Sequence, residues 1–407
     1  MAETVTTETQ ANGDEARSGE PSDRVARLLA FHLPQFHPIP ENDEWWGRGF
    51  TEWTNVARAR PLYPGHEQPK LPSDLGFYDL RLPEARAAQA ELARASGIEG
   101  FCYWHYWLHG RRLLERPVNE ILASGEPDFP FCLGWANHSW VRRWLGGNRE
   151  TFVEQRYSAE DDQEHARWLA EAFADPRYVR VGGRPLFLVF HPQHLPDPRR
   201  TTGAIREACA RRGLPDPYLV GAGSPEIGMD MRSLGFDITE FHEPHLLRLP
   251  MASWDGSGKR RLLYNLKRGV PSARLKVYRY RDAFEQACAM AEAVADDYPH
   301  LPCCFSGWDN TPRRGKDGIV MVGGSPELFA EHLGRCIARV ADRPAEERIV
   351  FINAWNEWAE GMYLEPDLRH GSAYLEAVAR VVGRPDSPRP TGGQAVPAGV
   401  AGSGERS

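Results

Sequence analysis

The densest group of chemically active residues lies near the C-terminus, in the run Asn353-Ala-Trp-Asn-Glu-Trp-Ala-Glu-Gly361. Glu357 and Glu360 are three residues apart, so their carboxyl groups lie on one face if the chain turns helically there. Glycoside hydrolysis requires such a pair, because one carboxyl must stay protonated while the other is ionised. The spacing alone also fits a surface helix that the two glutamates stabilise at its N-terminus. The flanking Trp355 and Asn356 favour the catalytic interpretation, because an aromatic neighbour raises a carboxyl pKa by desolvation.

Polar and aromatic side chains also follow a series of short apolar runs. The runs occupy residues 28–33, 98–106, 131–135, 185–190, 218–222, 236–241, 303–308 and 349–354. Nearly continuous apolar runs of this length suit strands that are buried on both faces of a parallel sheet. Segments with helical spacing lie between them, at residues 83–96, 161–174, 203–212, 282–296 and 326–341. Eight strands alternating with helices predict an α/β fold, a single (β/α)8 TIM barrel with long βα loops, over a doubly wound sheet, for which no GxGxxG motif is present.

The C-terminal ends of barrel strands carry the chemistry in such folds, which makes the residues there candidates for substrate binding. Tryptophans offer flat apolar faces for stacking on sugar rings, and histidines can donate to hydroxyl groups, although each also fits a core position. The candidates at the strand ends and in the loop after the first strand are His32, Gln35, Glu52, Trp53, Tyr103, His105, Trp107, Trp135, Asn137, His138, Trp140, His191, Glu240, His242, Trp308, Asp309, Trp355 and Asn356. No HxH or HExxH spacing indicates a metal site, so we expect neither a metal nor a cofactor.

The composition excludes several broad classes of protein. The 407 residues include 49 basic and 56 acidic side chains, and the net charge of −7 argues against a nucleic-acid partner. No stretch approaches the roughly 18 consecutive apolar residues of a membrane helix. The seven cysteines form no CxxC pair and residues 1–23 contain no signal segment, so we expect reduced thiols and a cytoplasmic location. The oligomeric state is left open.

The two ends of the chain differ in composition from the part between them. Residues 1–23 and 385–407 contain no aromatic side chain and are rich in small and polar residues, which predicts disordered tails. No linker-like stretch interrupts residues 24–384, which are expected to form one barrel domain. Within it, a basic segment at residues 248–281 is either a solvated insertion or a docking surface for an anionic glycan or a diphosphate-linked sugar.

Several long motifs resemble those of the WbsX family, whose members carry a domain similar to glycoside hydrolase family 99. The motifs lie at residues 31–37, 40–47, 49–56, 65–69, 75–81 and 353–366. The resemblance implies a (β/α)8 barrel and a retaining, endo-acting glycoside hydrolase that cleaves a mannose-like or surface-polysaccharide glycan. By that resemblance, Glu357 would deprotonate the substrate 2-hydroxyl, which attacks the anomeric carbon to give a 1,2-anhydro sugar. Glu360 would act first as the acid and then as the base.

One position departs from the family pattern. Where a WbsX-like chain is expected to read Trp-Ala-Asn-Glu-Asn-Trp, this chain reads Trp135-Ala-Asn-His-Ser-Trp140. The imidazole of His138 offers one donor and one acceptor, whereas a carboxylate only accepts. We therefore expect His138 to lie in the substrate cleft and to change which hydroxyl or which charge is preferred there.

Other function classes stay open at this point. WbsX proteins have also been described as glycosyltransferases, so the alternative is a glycosyltransferase or transglycosylase of lipopolysaccharide O-antigen or capsule biosynthesis. The absence of a phosphate-cradling glycine loop disfavours the use of a nucleotide sugar. A glycan-binding protein without activity would be expected to lack one of the two motif glutamates, and both are present.

Overall fold

Eight parallel strands form the centre of the molecule. The computed structural model describes residues 25–141, 151–223, 229–245, 266 and 274–383. The strands are β1 (Arg27–His32), β2 (Gly100–Leu108), β3 (Phe131–Trp135), β4 (Arg184–Val189), β5 (Tyr218–Gly223), β6 (Ile238–Phe241), β7 (His300–Leu301 and Cys303–Phe305) and β8 (Ile349–Asn353). Each strand overlaps one of the apolar runs of the sequence, although the first half of β7 precedes the run at residues 303–308.

The strands close into a ring. Each strand from β1 to β6 pairs in parallel with the next one, and β8 pairs with both β7 and β1. Pro302 divides β7, because proline has no backbone N–H to donate to a neighbouring strand. The first half of β7 pairs with β6 and the second half with β8, while the Pro302 carbonyl accepts from Phe351 N at 3.0 Å. The predicted (β/α)8 barrel is therefore confirmed.

Helices surround the ring and fill the long connection after β1. In the described residues they are α1 (Pro40–Trp46), α2 (Glu52–Arg58), α3 (Pro83–Ser96), α4 (Arg116–Ser124), α5 (Ala159–Ala172), α6 (Pro198–Arg211), α7 (Tyr280–Ala293), α8 (Thr311–Arg314), α9 (Pro326–Ala338) and α10 (Ala373–Val381). Helix α3 shows how the sequence sets their limits. Pro83 begins its first turn, and Gly97 ends it with a left-handed φ of 94° that a residue with a side chain rarely adopts.

Short strands and 3-10 turns shape the loops. Three pairs of short strands form, namely Trp140–Val141 with Thr151–Val153, Lys276–Arg279 with Ile319–Val322, and Asn356–Glu357 with Met362–Tyr363. Two further short strands pair antiparallel with barrel strands, Arg111–Leu113 with β2 and Arg180–Val181 with β4. The 3-10 turns are Pro192–His194, Met231–Leu234, Gly315–Asp317, Ala345–Glu347 and Trp358–Glu360. Several of these elements follow the C-terminal ends of barrel strands, where they wall the end of the ring.

Some sequence predictions concern residues that the structure does not describe. The predicted tails, residues 1–23 and 385–407, lie outside the described residues, as does most of the basic segment at 248–281. Among the helices of the described residues, none combines the length and the apolar character that crossing a membrane requires.

Candidate active site

Four charged side chains meet beyond the C-terminal ends of the strands. Arg313 of α8 lies between the carboxylates of Glu52, Glu357 and Glu360. Its Nη2 donates to Glu52 Oε1 at 2.5 Å and to Glu357 Oε2 at 3.1 Å. Its Nη1 donates to Glu360 Oε1 at 2.5 Å, and its Nε donates to Glu52 Oε1 at 2.9 Å. One guanidinium therefore joins three carboxylates that are far apart in the chain.

The turn after β8 brings two of these carboxylates together. Glu357 lies four residues beyond the end of β8, and the chain then turns through the 3-10 helix Trp358–Glu360. The turn ends at Gly361, whose φ of 61° is left-handed. A Cβ at Gly361 would also lie 2.9 Å from Asp309 Cβ and 3.0 Å from the backbone N of Asp309, which is closer than a carbon atom can normally approach. A glycine is therefore required at this point for Glu360 to reach the same side as Glu357.

The other two members come from the loops that follow β1 and β7. Glu52 is the first residue of α2, and a capping box between Thr51 and Thr54 sets the start of that helix. Arg313 belongs to the four-residue helix α8, which follows Asn310. The hydrogen bonds of Arg313 therefore connect the loops after β1 and β7 to the turn after β8.

Burial changes the ionisation of the cluster. Burial raises the pKa of Glu357 to about 8; the Arg313 guanidinium acts in the opposite direction, and the charges of Glu360 and Glu52 add to the rise. Burial also raises the pKa of Glu52, against the charge of Arg313. For Arg313 itself, burial lowers the pKa, but the three carboxylates outweigh burial and raise it. Glu357 therefore holds its proton more strongly than an ordinary glutamate does.

Glu357 and Glu360 line a cavity of about 550 Å³. A volume of this size is typical of sites for small ligands. Aromatic rings make up much of the wall, namely Trp45, Trp46, Trp104, Tyr106, Trp140, Phe152, Phe190 and Trp308. The cavity thus combines two carboxylic side chains with flat apolar faces, which is the combination that sugar rings require.

The structure brings part of the predicted site together around this cavity. Six of the predicted binding residues line it together with Glu357 and Glu360, namely Gln35, His138, Trp140, His191, His242 and Trp308. His138 therefore lies at the cavity, as its position after β3 predicted. Its ring centroid is 5.6 Å from that of His191 and 6.0 Å from that of Phe190.

The other predicted binding residues do not line the cavity. They are His32, Glu52, Trp53, Tyr103, His105, Trp107, Trp135, Asn137, Glu240, Asp309, Trp355 and Asn356. On β2 the reason is the period of two along a strand. Trp104 and Tyr106 face the cavity, so His105 and Trp107 point outward to α5. There, His105 Nε2 lies 3.0 Å from His165 Nε2, and Trp107 Nε1 donates to Asp161 Oδ1 at 2.9 Å.

Tyr103 and Trp135 also point away from the cavity, because both are packed between the strands and the helix layer. Trp135 Nε1 donates to the Trp107 carbonyl at 3.0 Å, and the Tyr103 ring packs on His32 with centroids 4.5 Å apart. His32 itself contacts Gln89 Oε1 at 3.2 Å, and burial lowers its pKa to about 3. These residues are neutral members of the core.

A buried network supports the turn that carries Glu357 and Glu360. Asn356 bonds to the backbone of Leu33 in both directions, at 2.7 and 3.0 Å. Trp358 Nε1 and Gln89 Nε2 each donate to the Glu365 carboxylate at 2.6 Å. Burial nevertheless raises the pKa of Glu365 to about 7, with these hydrogen bonds opposing the rise. Trp355 and Trp53 also lie in this layer, where Trp355 packs on Phe101 and Trp53 Nε1 donates to the Tyr78 carbonyl at 2.8 Å.

Other predicted residues hold the cavity wall in place. Asn137 bonds to the backbone of His191 in both directions, at 2.7 and 2.8 Å. Glu240 is fully buried behind His242, with Glu240 Oε2 3.5 Å from His242 Nδ1. Asn137 therefore orients a residue that lines the cavity, and Glu240 places a carboxyl group next to another, and neither lines the cavity itself.

Asp309 lines a second cavity of about 550 Å³, which Trp308 separates from the first. Its Oδ2 accepts from Gln68 Nε2 at 2.7 Å and contacts His66 Nε2 at 2.9 Å. Burial acts to raise the pKa of Asp309, but the hydrogen bond from His66 and the charge of Lys70 hold it below its ordinary value. Asp309 thus stays ionised and anchors the loop at residues 66–70.

Sequence reasoning missed several residues of the site, above all Arg313. The other missed members of the cavity wall include Asn42, Trp45, Trp46, Tyr106, Phe190, His245 and Asn353. Tyr106 could have been found, because strand alternation places it on the same face as Trp104. Arg313 gives no such local signal, because its role depends on three loops that meet only in the folded chain.

Two groups of potential metal ligands occur in the described residues. They are Cys304, His332 and Cys336, and Glu240, His242 and Cys303, and the ligand atoms within each group lie within 4.8 Å of one another. The first group lies between β7 and α9 and does not line the cavity, whereas the second includes His242, which does line it. Neither group includes Glu357 or Glu360.

Comparisons with known proteins agree with this architecture. The structure is similar to that of the GH99 endo-alpha-mannosidase from Bacteroides thetaiotaomicron, with a TM-score of 0.52 and 15% identity over 88% of this chain and 96% of that one. A protein described as glycoside hydrolase-like gives a TM-score of 0.54 and 14% identity, over 91% of this chain and 97% of the other. At such low identities, the likeness shows a shared fold.

Sequence comparison gives a closer relationship. The uncharacterized protein WxcX of Xanthomonas campestris pv. campestris is 41% identical over 386 residues, which cover 92% of this chain and 53% of WxcX. The chain thus spans about half the length of the curated relatives that it matches. A family model described as "Glycosyltransferase WbsX" matches residues 28–378, which include the barrel and all members of the Arg313 cluster. The chain therefore belongs to the WbsX glycosyltransferase family.

Proposed function

We propose that this protein is a carbohydrate-active enzyme that breaks a glycosidic bond with retention of anomeric configuration, using Glu357 and Glu360. The observation that carries the proposal is the pair of glutamates that share one buried guanidinium and line one aromatic cavity. The substrate class that fits is a mannose-like or surface-polysaccharide glycan, cut within the chain. This class comes from the family resemblance, and the cavity adds aromatic faces that suit sugar rings.

The charges of the cluster support a role for Glu357 as a base. Three carboxylates surround one cation, so full ionisation would leave two uncompensated negative charges in a buried site, which is costly. Burial raises the pKa of Glu357 to about 8, so this carboxyl holds its proton more strongly than an ordinary one. Once deprotonated, Glu357 is correspondingly the stronger base. Such a base is suited to taking a proton from a sugar hydroxyl, whose own pKa is much higher.

The proposed reaction has two balanced steps. In the first, Glu357 takes the proton of the substrate 2-hydroxyl while O2 attacks the anomeric carbon, and Glu360 donates its proton to the departing glycosidic oxygen. A 1,2-anhydro sugar forms. In the second, Glu360 takes a proton from water, the resulting hydroxyl adds to the anomeric carbon, the C1–O2 bond breaks, and Glu357 returns its proton to O2. Two inversions at the anomeric carbon give net retention.

Arg313 has a positioning role in this scheme. Its fork of donors contacts Glu357 and Glu360 through different nitrogens, which holds the two carboxyl groups at a fixed separation. Its bond to Glu52 keeps the guanidinium in place from the side away from the cavity. The charge of Arg313 also opposes the rise in the pKa of Glu357, so part of the protein carries the deprotonated base at working pH.

Glycosyl transfer is the second candidate function, and the description of the family favours it. The first step is then the same, and a sugar hydroxyl takes the place of water in the second step. The same two glutamates serve both reactions. The partner in either case is a glycan, and a product analysis with and without an added acceptor separates the two.

A glycan screen with matched variants tests the proposal. Purified protein is incubated with α-mannans and with bacterial surface polysaccharides that carry a reducing-end label, and the products are separated and weighed by mass spectrometry. Glu357→Gln and Glu360→Gln are each expected to lower the rate on the order of 10²-fold or more, as acid–base groups do. Glu376→Gln, an exposed glutamate on α10, is the control and should keep full activity. Cleavage that persists in both motif variants would refute the proposal.

A further inference from the structure

The lining of the cavity contains two chemically different groups of side chains. Glu357, Glu360 and Arg313 form the first group. His138, His191, His242 and His245, which we call the imidazole wall, contribute from the loops after β3, β4 and β6. Among the described residues that line the cavity, Glu357 and Glu360 are the only ones with a carboxylic side chain. The imidazole wall therefore offers hydrogen-bond donors and contains no carboxylate of its own that would oppose an anion.

The histidines of this wall are held close to one another. The rings of His138 and His191 have centroids 5.6 Å apart, and His194 continues the group at 4.5 Å from His191. Phe190 lies beneath them, with its centroid 4.0 Å from that of His191 and 4.7 Å from that of His242. The two hydrogen bonds between Asn137 and the His191 backbone fix the loop that carries this residue. The wall is thus built into the ends of the strands.

Neutral imidazoles can still bind an anion. Burial lowers the pKa of His191 to about 3, and the neighbouring His138, His194 and His242 lower it further, so this ring is neutral and carries one N–H. The nearby acids Glu240 and Glu243 do not line the cavity; Glu240 is 3.5 Å from His242 Nδ1, and Glu243 accepts from the backbone N of His245 at 2.6 Å. An N–H that donates to an ionised carboxylate or phosphate makes a stronger hydrogen bond than one that donates to a neutral hydroxyl.

We propose that the imidazole wall is a subsite for an anionic substituent of the glycan, a carboxylate or a phosphate. The proposal rests on the proposed function and narrows its substrate class to acidic glycans. An anionic group at the imidazole wall receives N–H donors and stays away from the two lining carboxyl groups. The substrate would then be oriented with its neutral glycosidic bond at the glutamates and its charged group at the histidines.

Binding measurements with small probes test this subsite without any catalysis. The probes are D-glucuronate, D-glucose 6-phosphate and D-glucose, which differ in whether a carboxylate, a phosphate or a neutral hydroxymethyl group stands at C6. Isothermal titration at pH 6.0 is expected to show at least about tenfold tighter binding of one anionic probe than of glucose, as a charge-assisted hydrogen bond provides. The anionic probe that binds more tightly identifies the substituent.

Variants identify the imidazoles as the cause. The same probes are titrated into Glu357→Gln, where the preference for the anion should persist because the imidazole wall is unchanged. His138→Gln and His138→Glu should reduce the preference on the order of tenfold, whereas His370→Gln, beside the second cavity, should keep it.

Three results would overturn the subsite. They are equal affinity for glucose and both anionic probes, a preference that is lost in Glu357→Gln, and a preference that survives His138→Gln and His138→Glu. Thermal melting shows whether each variant is folded, and glucose binding supplies a second check. Because these assays read binding alone, an absence of glycosidase activity would count against the proposed function and leave the subsite standing.

Discussion

At the scale of single residues, the proposed reaction depends on Arg313 and the three carboxylates around it. The motif with Glu357 and Glu360 could be identified from spacing and from its tryptophans, because both are local features of the sequence. Arg313, the partner that influences their ionisation, could not be identified in this way. Arg313 lies 44 residues before Glu357 and 261 after Glu52, and only the closed barrel brings the three together.

The roles of Glu357 and Glu360 can be separated by the leaving group. An aryl glycoside with an acidic phenol needs little help from a general acid, so Glu360→Gln should recover most of its loss in the first step on such a substrate. Glu357→Gln should not recover, because the attack of O2 still lacks its base. The measurement is the pre-steady-state release of the phenol. Recovery by Glu357→Gln in place of Glu360→Gln would reverse the assignment.

The pH profile tests the raised pKa of Glu357. A general base works only when deprotonated, so kcat/KM should rise with pH through the pKa of Glu357, at about 8. Arg313 lowers that pKa, so Arg313→Lys, which keeps the charge and loses the planar fork, should move this limb to higher pH and lower kcat. An unchanged limb in a variant that melts like the parent protein would contradict the coupling.

At the scale of elements, the sequence specified the eight strands and missed the direction of their side chains. The apolar runs matched the strands because buried parallel strands are apolar on both faces, as in β2. For the same reason, the apolar pattern has no alternation that would tell the inner face from the outer one. His105 and Trp107 were therefore chosen as binding residues, although Trp104 and Tyr106 are the ones that face the cavity.

Two neighbours on β2 give a matched test of this alternation. Trp107→Phe removes the donor to the buried Asp161 and should cost about 1–3 kcal/mol of stability, with kcat/KM nearly unchanged. Tyr106→Phe removes a hydroxyl from the cavity and should lower kcat/KM about tenfold, with the melting temperature nearly unchanged. Chemical denaturation and steady-state kinetics on both variants provide the comparison. The opposite pattern of effects would show that Trp107, and not Tyr106, faces the cavity.

At the scale of the whole molecule, the barrel explains why distant motifs form one site. The glutamate motif, the Trp308 loop and the loop after β1 all follow strand ends, and the ring places those ends side by side. The second cavity, on the other side of Trp308, lies next to the catalytic turn through Gly361. Sequence patterns predicted the barrel, since periodicity is a local property, but they could not give a cavity that several loops enclose.

The composition of the chain ends leads to a prediction for the whole molecule. Residues 1–23 and 385–407 contain no aromatic side chain, so they have little apolar area to bury against the barrel. Deleting both should leave the melting temperature and the activity nearly unchanged. Differential scanning calorimetry on the shortened protein checks this, and a fall of several degrees would place the domain limits elsewhere.

The proposed mechanism has Glu357 and Glu360 act in one cavity through a 1,2-anhydro sugar, which forms when O2 of the substrate attacks the anomeric carbon. The anomeric configuration of the first product is its most direct test. Proton NMR, recorded during the first minutes of cleavage of the glycan that the screen identifies, distinguishes the two anomers before they equilibrate. If the proposed mechanism is correct, the new reducing end first appears with the configuration of the bond that was cut. A first product of inverted configuration would rule the mechanism out.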